Sequence, residues 1–129
     1  MFNALTGASG RHNKALRVIS DWLATVQKFL TGYSLYGNYD LDTLLQKRGD
    51  AKFDLTNMAY NGRPLVATAK NIKGADLTPL MQDIITYIEE IRRYLIDPSL
   101  QGDKIRESAL NLRGTFEKLQ DALSSVEPM

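Results

Sequence analysis

Residues 78–98 read TPLMQDIITYIEEIRRYLIDP, and their spacing decides the fold. Leu77, Met81, Ile84, Ile88, Ile91 and Leu95 recur at steps of four and three, the period that aligns side chains along one stripe of an α-helix. Thr78 and Pro79 open the segment with a capping hydroxyl and a proline at the first helical position. Asp97-Pro98 closes it, because proline has no amide hydrogen to continue the ladder. A helix with one apolar stripe must bury it against other elements, so the neighbouring segments have to supply matching stripes.

They do so in both directions. Downstream, residues 97–102 form a short connection, and Asp103 is placed to cap a helix whose seam runs Ile105, Ala109, Leu112, Phe116, Leu119, Leu123, Val126. Upstream, Ala15, Ile19, Trp22, Val26, Phe29 and Tyr33 form another seam, widened by Leu16, Leu23 and Leu30. That predicts a first helix over 11–36, with Gly37 ending it in the left-handed conformation.

The second helix is weaker. Asp40 is a candidate N-cap, and Leu44, Ala51, Leu55, Met58, Leu65, Ala69 and Ile72 share one seam, but the register also puts Arg48 and Gly62 in it. Asn61-Gly62-Arg63-Pro64 joins a turn dipeptide to a proline and predicts a kink or break near 61–64; Gly74 ends the segment. No alternating β-branched run bounded by turn pairs competes. Four amphipathic helices with short connections predict an all-α, up-down-up-down four-helix bundle over 11–129. Residues 1–10 read as a flexible N-terminal arm hinged on Thr6-Gly7-Ala8-Ser9-Gly10.

Composition agrees with one such domain: 129 residues, 43% hydrophobic and 24% charged, are globular proportions. The net charge of +1 argues against a dedicated nucleic-acid binder. Charge is nonetheless uneven, since residues 1–73 carry ten Lys/Arg against five Asp/Glu and residues 74–129 carry six against ten. An antiparallel bundle can satisfy that asymmetry internally, first half against second. No stretch reaches the ~18–20 apolar residues of a bilayer span, while peripheral membrane association is compatible with the sequence. With no cysteine, thiolate chemistry is excluded and the redox clue to compartment is missing.

The inventory of reactive groups is thin. His12 is the one histidine and sits between Arg11 and Asn13 at the expected frayed start of the first helix, a poor place for a catalytic base. The chain lacks the Glu-x-x-His pair of metal-binding bundles. Asp83 and Glu90 flank the apolar seam, and Glu89 is spaced to pair with Arg93. Asp40 and Asp42 do not start a calcium loop, because Leu44 stands where a further ligand is required. No Walker or dinucleotide-binding glycine pattern occurs. Neither a catalytic residue, a metal site nor a cofactor is therefore expected, and the chain reads as no enzyme.

Tyr33, Tyr36 and Tyr39 lie three residues apart next to a turn. Tyr33 continues the first seam and should be buried, whereas Tyr36 and Tyr39 are freer to meet a partner, as tyrosines at interfaces do. Residues 29–46 carry no Lys or Arg, which argues against base stacking along a nucleic-acid groove. Phe2 and Leu5 could dock the arm on a neighbouring subunit. The expectation is a non-enzymatic assembly or interaction subunit with protein partners, self-association included, and Phe2, Leu5, Tyr36 and Tyr39 as contacts. The alternative is a chaperone or regulator that holds a client's amphipathic helix in a groove, for which Leu35, Leu45, Phe53, Val66 and Leu100 are the surplus apolar residues.

The order of a long helix pair, then Leu80-Met81-Gln82-Asp83-Ile84-Ile85 and Ile88-Glu89-Glu90-Ile91, then a terminal amphipathic helix resembles the PsbQ-type extrinsic proteins of photosystem II. The resemblance spans about residues 41–123 and implies a four-helix bundle that binds a membrane complex from its lumenal face and does no chemistry itself. It rests on spacing, the family's targeting segment and extended N-terminal region have no counterpart here, and no functional residue carries over.

Overall fold

Four apolar stripes can be buried at once when each helix packs on two others in a ring. The computed structural model shows that arrangement for the residues it describes, 2–36, 41–97, 99 and 102–129, with residues 2–6 and 8 described by backbone alone. The helices are α1 (Phe2–Gly32), α2 (Asp42–Gln46), α3 (Arg48–Thr68), α4 (Thr78–Ile96) and α5 (Gly102–Ser124), with a 3-10 turn at Ala69–Asn71 after α3. No strand occurs among the described residues. The long helix α1 packs on α3, α3 on α4, α4 on α5, and α5 closes on α1. Bonds between neighbours run in opposite chain senses: Trp22 to Met58, and Tyr33 just after α1 to Asp54, tie the first helix to α3, while Arg48 to Leu95 and Arg63 to Glu89 join α3 to α4.

The expected seams form one core. Ile19, Val26, Ile84, Ile88, Ile91, Leu112 and Leu119 are fully buried, and Phe116 is 1% exposed. Burial of a Leu, Ile or Phe side chain stabilises by roughly 1.5–3 kcal/mol against leaving it in water, and this is what holds helices of ordinary propensity together.

Several boundaries differ from expectation for identifiable reasons. The first helix begins at Phe2 rather than residue 11, since Gly7 and Gly10 weaken a helix without breaking it. It ends at Gly32 rather than Tyr36. Ser34 takes the left-handed conformation (φ 58°) expected of Gly37, which lies outside the described residues. The Leu35 amide then donates to the Leu30 carbonyl (2.8 Å) and the Ser34 amide to the Thr31 carbonyl (3.2 Å), the two bonds of a Schellman ending. Leu30 and Leu35 are both fully buried, which supplies the apolar contact that accompanies this ending.

Residues 61–64, where a kink or break was expected, stay inside α3. Pro64 and Tyr60, whose carbonyl loses its helical donor, are both exposed, so water can replace the missing bond. The helix is therefore not broken at 61–64; the break lies at Lys47, between α2 and α3. At α4 the N-cap position falls on Leu77 rather than Thr78 and has no side-chain cap bond; Asp76 Oδ1, one residue earlier, accepts the Thr78 amide at 3.1 Å. Asp103 lies in the first turn of α5 and pairs with Arg106.

His12 is not at a frayed end. It is 1% exposed, and its ring joins three segments. Nδ1 accepts the Lys73 amide (2.9 Å), which leaves Nε2 to carry the hydrogen it donates to the Glu127 carbonyl (2.8 Å). Beside it, the Asn13 side chain both donates to the Met129 carbonyl (2.9 Å) and accepts the Met129 amide (2.8 Å). One histidine and one asparagine thus fasten the chain's last residues to α1.

Candidate interaction site

Helix α3 has an unusual inner face, built of Ala51, Leu55, Met58, Ala59 and Gly62. A Cβ on Gly62 would lie 2.5 Å from both Trp22 Cζ2 and Ile85 Cδ1, so only glycine lets α1, α3 and α4 converge there. The Trp22 indole lies on the α3 backbone and donates to the Met58 carbonyl at 3.0 Å. The other irregular seam residue also has a use. Arg48 donates to the Leu95 and Asp97 carbonyls, occupying acceptors that the end of α4 leaves without helical donors.

The large residues of α3 point the other way. Phe53 and Tyr60 sit two positions after Ala51 and Met58, about 200° round the helix axis from the core-facing line. Seven residues apart, they project in one direction, about 10 Å from each other. Their exposures, 66% and 72%, are the two highest among the exposed large hydrophobics. Single exposed apolar residues need no explanation, but two aligned aromatic rings flanked by grooves form a surface that could be covered.

Those grooves differ in chemistry. On the α1 side is a groove of about 630 Å³, whose wall includes Phe53 and whose rim carries Lys28, Lys47, Asp50 and Asp54. Tyr33 also lines it, and its hydroxyl donates to Asp54 Oδ2 at 2.7 Å. Burial, together with the Asp54 carboxylate it faces, raises the Tyr33 hydroxyl well above the ordinary phenol range. On the α4 side a second groove, about 450 Å³, is flanked by Tyr60 and Ile96 and lined by Arg63, Arg92, Arg93 and Glu89. Glu89 does not pair with Arg93 within its own helix as expected. Its Oε1 instead accepts from Arg63 Nη2 at 2.7 Å and Nε at 2.8 Å, across the groove.

The residues expected to meet partners are not gathered at this surface. Tyr36 is 43% exposed, yet its ring stands edge-on to Phe116 with centroids 6.3 Å apart, so part of it closes the core. Tyr33 is buried, as its seam position requires. Of Phe2 and Leu5 only the helical backbone is described, and Tyr39 lies outside the described residues. Among the surplus apolar candidates, Leu35 is fully buried, Leu45 is 37% exposed, Val66 is half-buried and Leu100 is outside the described residues. Phe53 lines the groove on the α1 side. Tyr60 and the arginines were missed, although a check of residues off the seam at a spacing of seven would have shown Phe53 and Tyr60 as a second line.

The described residues contain no group of three or more His, Cys, Asp or Glu side chains placed to hold a metal ion. Among them no helix is long and apolar enough to cross a membrane. The chain matches no protein-family model, no curated protein and no solved structure. The surface of α3 therefore has to be interpreted from its own chemistry.

Proposed function

We propose that the protein is a non-enzymatic interaction subunit and that it meets its protein partner through the outer face of α3. The observation that carries this is the outward line of Phe53 and Tyr60, large apolar rings left mostly in water and set between two grooves. Interfaces concentrate their binding energy in aromatic and arginine side chains of this kind. A rigid four-helix core holds the two rings at a fixed separation, which limits the ordering cost of binding. Photo-crosslinking tests it. A photoreactive phenylalanine analogue at position 53 or 60 should yield one defined adduct in the native host extract, and the same analogue at exposed Leu110 on α5 should not. Equal adducts at all three positions, or none at 53 and 60, would remove the proposal.

A second reading has its own observation. The 630 Å³ groove beside Phe53 is the shape a chaperone or regulator would offer to a client's amphipathic helix. In that case Lys28→Glu with Asp50→Lys should alter client capture, because both residues stand on the groove's rim.

A further inference from the structure

We infer that the groove between α3 and α4 recognises an acidic segment of a partner protein, one that presents carboxylates beside an apolar side chain. This rests on the assignment of α3's outer face as the contact surface and adds the chemistry of what covers it. Three arginines, Arg63, Arg92 and Arg93, line the groove against one acidic residue, Glu89. The imbalance is local, since the chain as a whole carries only +1.

Two of these arginines are held in place before any partner arrives. Arg92 Nε donates to the Thr56 hydroxyl at 2.7 Å, and that hydroxyl in turn donates to the Lys52 carbonyl at 2.8 Å, anchoring the group to the α3 backbone. The bond engages one edge of the Arg92 guanidinium and leaves its terminal nitrogens for an incoming acceptor. Arg63 makes both its bonds to one oxygen of Glu89, so the pair neutralises itself in part and fixes the groove's far wall. The Arg93 guanidinium carbon lies 5.2 Å from the centroid of the Tyr94 ring, a cation–π contact that adds a third positive charge beside the groove. A planar fork with donors already oriented binds a carboxylate with less loss of freedom than a mobile lysine would.

Tyr60 at 72% and Ile96 at 44% exposure flank these charges. An inorganic anion would use the arginines and leave both apolar side chains in water. A protein segment with acidic and apolar residues on one face would cover all of them together, and this favours a peptide over a small anion.

The test uses the full chain and two synthetic amphipathic helical peptides of identical apolar pattern, one with Glu and one with Lys at its polar positions. Amide chemical-shift mapping in low salt should show the Glu peptide bound across residues 56–63 and 89–96, and the Lys peptide unbound. Arg92→Gln with Arg93→Gln, which removes charge but keeps polar side chains, should weaken the Glu peptide about tenfold or more. Lys118→Gln on exposed α5 should leave it unchanged. Tyr60→Ser should also weaken binding, and it supplies an independent variant should the arginine pair prove unstable. Raising sodium chloride to about 0.5 M should reduce binding, as for any exposed charged contact. Equal binding of both peptides, binding of neither, or inorganic phosphate producing the same shifts as the Glu peptide would each overturn the inference. If that happens while crosslinks at 53 and 60 persist, the contact surface stands and only its preference for acid is lost.

Discussion

Helices α3 and α4 lie against each other and are built on opposite plans. Every seam position of α4 from Met81 to Leu95 is a large apolar side chain, 0–1% exposed, and among its large hydrophobic residues Ile96 is the exposed one. On α3 the inward positions are mostly small, Ala51, Ala59 and Gly62, while Phe53 and Tyr60 face water. The contrast separates two demands on a helix. α4 fills the core, whereas α3 lets its neighbours come close and keeps two of its largest residues outside. Where a helix violates the pattern that folding requires, a second constraint is at work.

The strongest way to break this contrast is to damage α4's filling role. Ile88 is fully buried at the middle of its seam, so Ile88→Ala should cost about 2–5 kcal/mol in urea unfolding through lost transfer energy and a residual cavity. A cost under about 1 kcal/mol would mean that α4 is no more essential to packing than α3's outer face. Next comes the close approach on α3 itself. Gly62→Ala adds one methyl group 2.5 Å from both Trp22 and Ile85, and overpacking of this kind costs typically about 1–3 kcal/mol. The usual helix preference for alanine predicts the opposite sign, a gain of about 1 kcal/mol. A denaturation midpoint above wild type would therefore show that the three helices are not in contact at this point.

How much of this could be seen beforehand follows the same division. The seam from Leu77 to Leu95 was legible because burial of one face leaves a period in the residues, and the all-helical class followed from it. Gly62 and Arg48 looked like defects in the second helix because periodicity counts apolar side chains and cannot register a close backbone approach or a bond to a neighbouring helix's carbonyls. The end of α1 was misplaced for a related reason. Glycine is the ordinary residue for a left-handed ending, so Gly37 drew attention, while the buried pair Leu30 and Leu35 that supports the turn at Ser34 depends on tertiary packing. Position along the chain gives no sign of the role of His12, because its two partners are 61 and 115 residues away, beyond any local pattern. The surface of α3 is half legible: Phe53 is surplus to the seams, whereas Tyr60 off the seam looks like any solvated helix residue until its alignment with Phe53 at a spacing of seven is set against the finished core.

A smaller effect, read against pH, tests the α1 side of α3. Tyr33 is neutral when it donates to Asp54, and its hydroxyl is raised above the value near 10 of an unfolded chain. Its contribution is thus fully present below about pH 10 and drains away as the pH climbs toward the folded value, because ionisation would set a phenolate beside a carboxylate. Tyr33→Phe should cost about 1 kcal/mol at neutral pH and flatten the alkaline branch of the stability curve. If wild type and variant lose stability in parallel above pH 10, the bond between α1 and α3 does not contribute in this way.

The smallest expected effect on folding is the one that decides the function. Phe53 and Tyr60 are mostly exposed and lie outside the buried core, so Phe53→Ser with Tyr60→Ser should leave the unfolding free energy within about 0.5 kcal/mol of wild type. Truncating interface anchors, in contrast, often costs about 2 kcal/mol or more of binding each. Partner recovery should therefore fall steeply while the melting curve stays in place, the reverse of what Ile88→Ala produces in a partially unfolded sample. Two results would collapse the distinction between the helices. A large loss of stability would make the outward rings part of the fold after all, with Phe53 supporting the wall of the α1 groove. An unchanged melting curve with unchanged partner recovery would instead make them inert surface, and the contact would have to be sought at the other exposed apolar residues, Tyr36 and Leu110 first, since each is more than 40% exposed on a different side of the core.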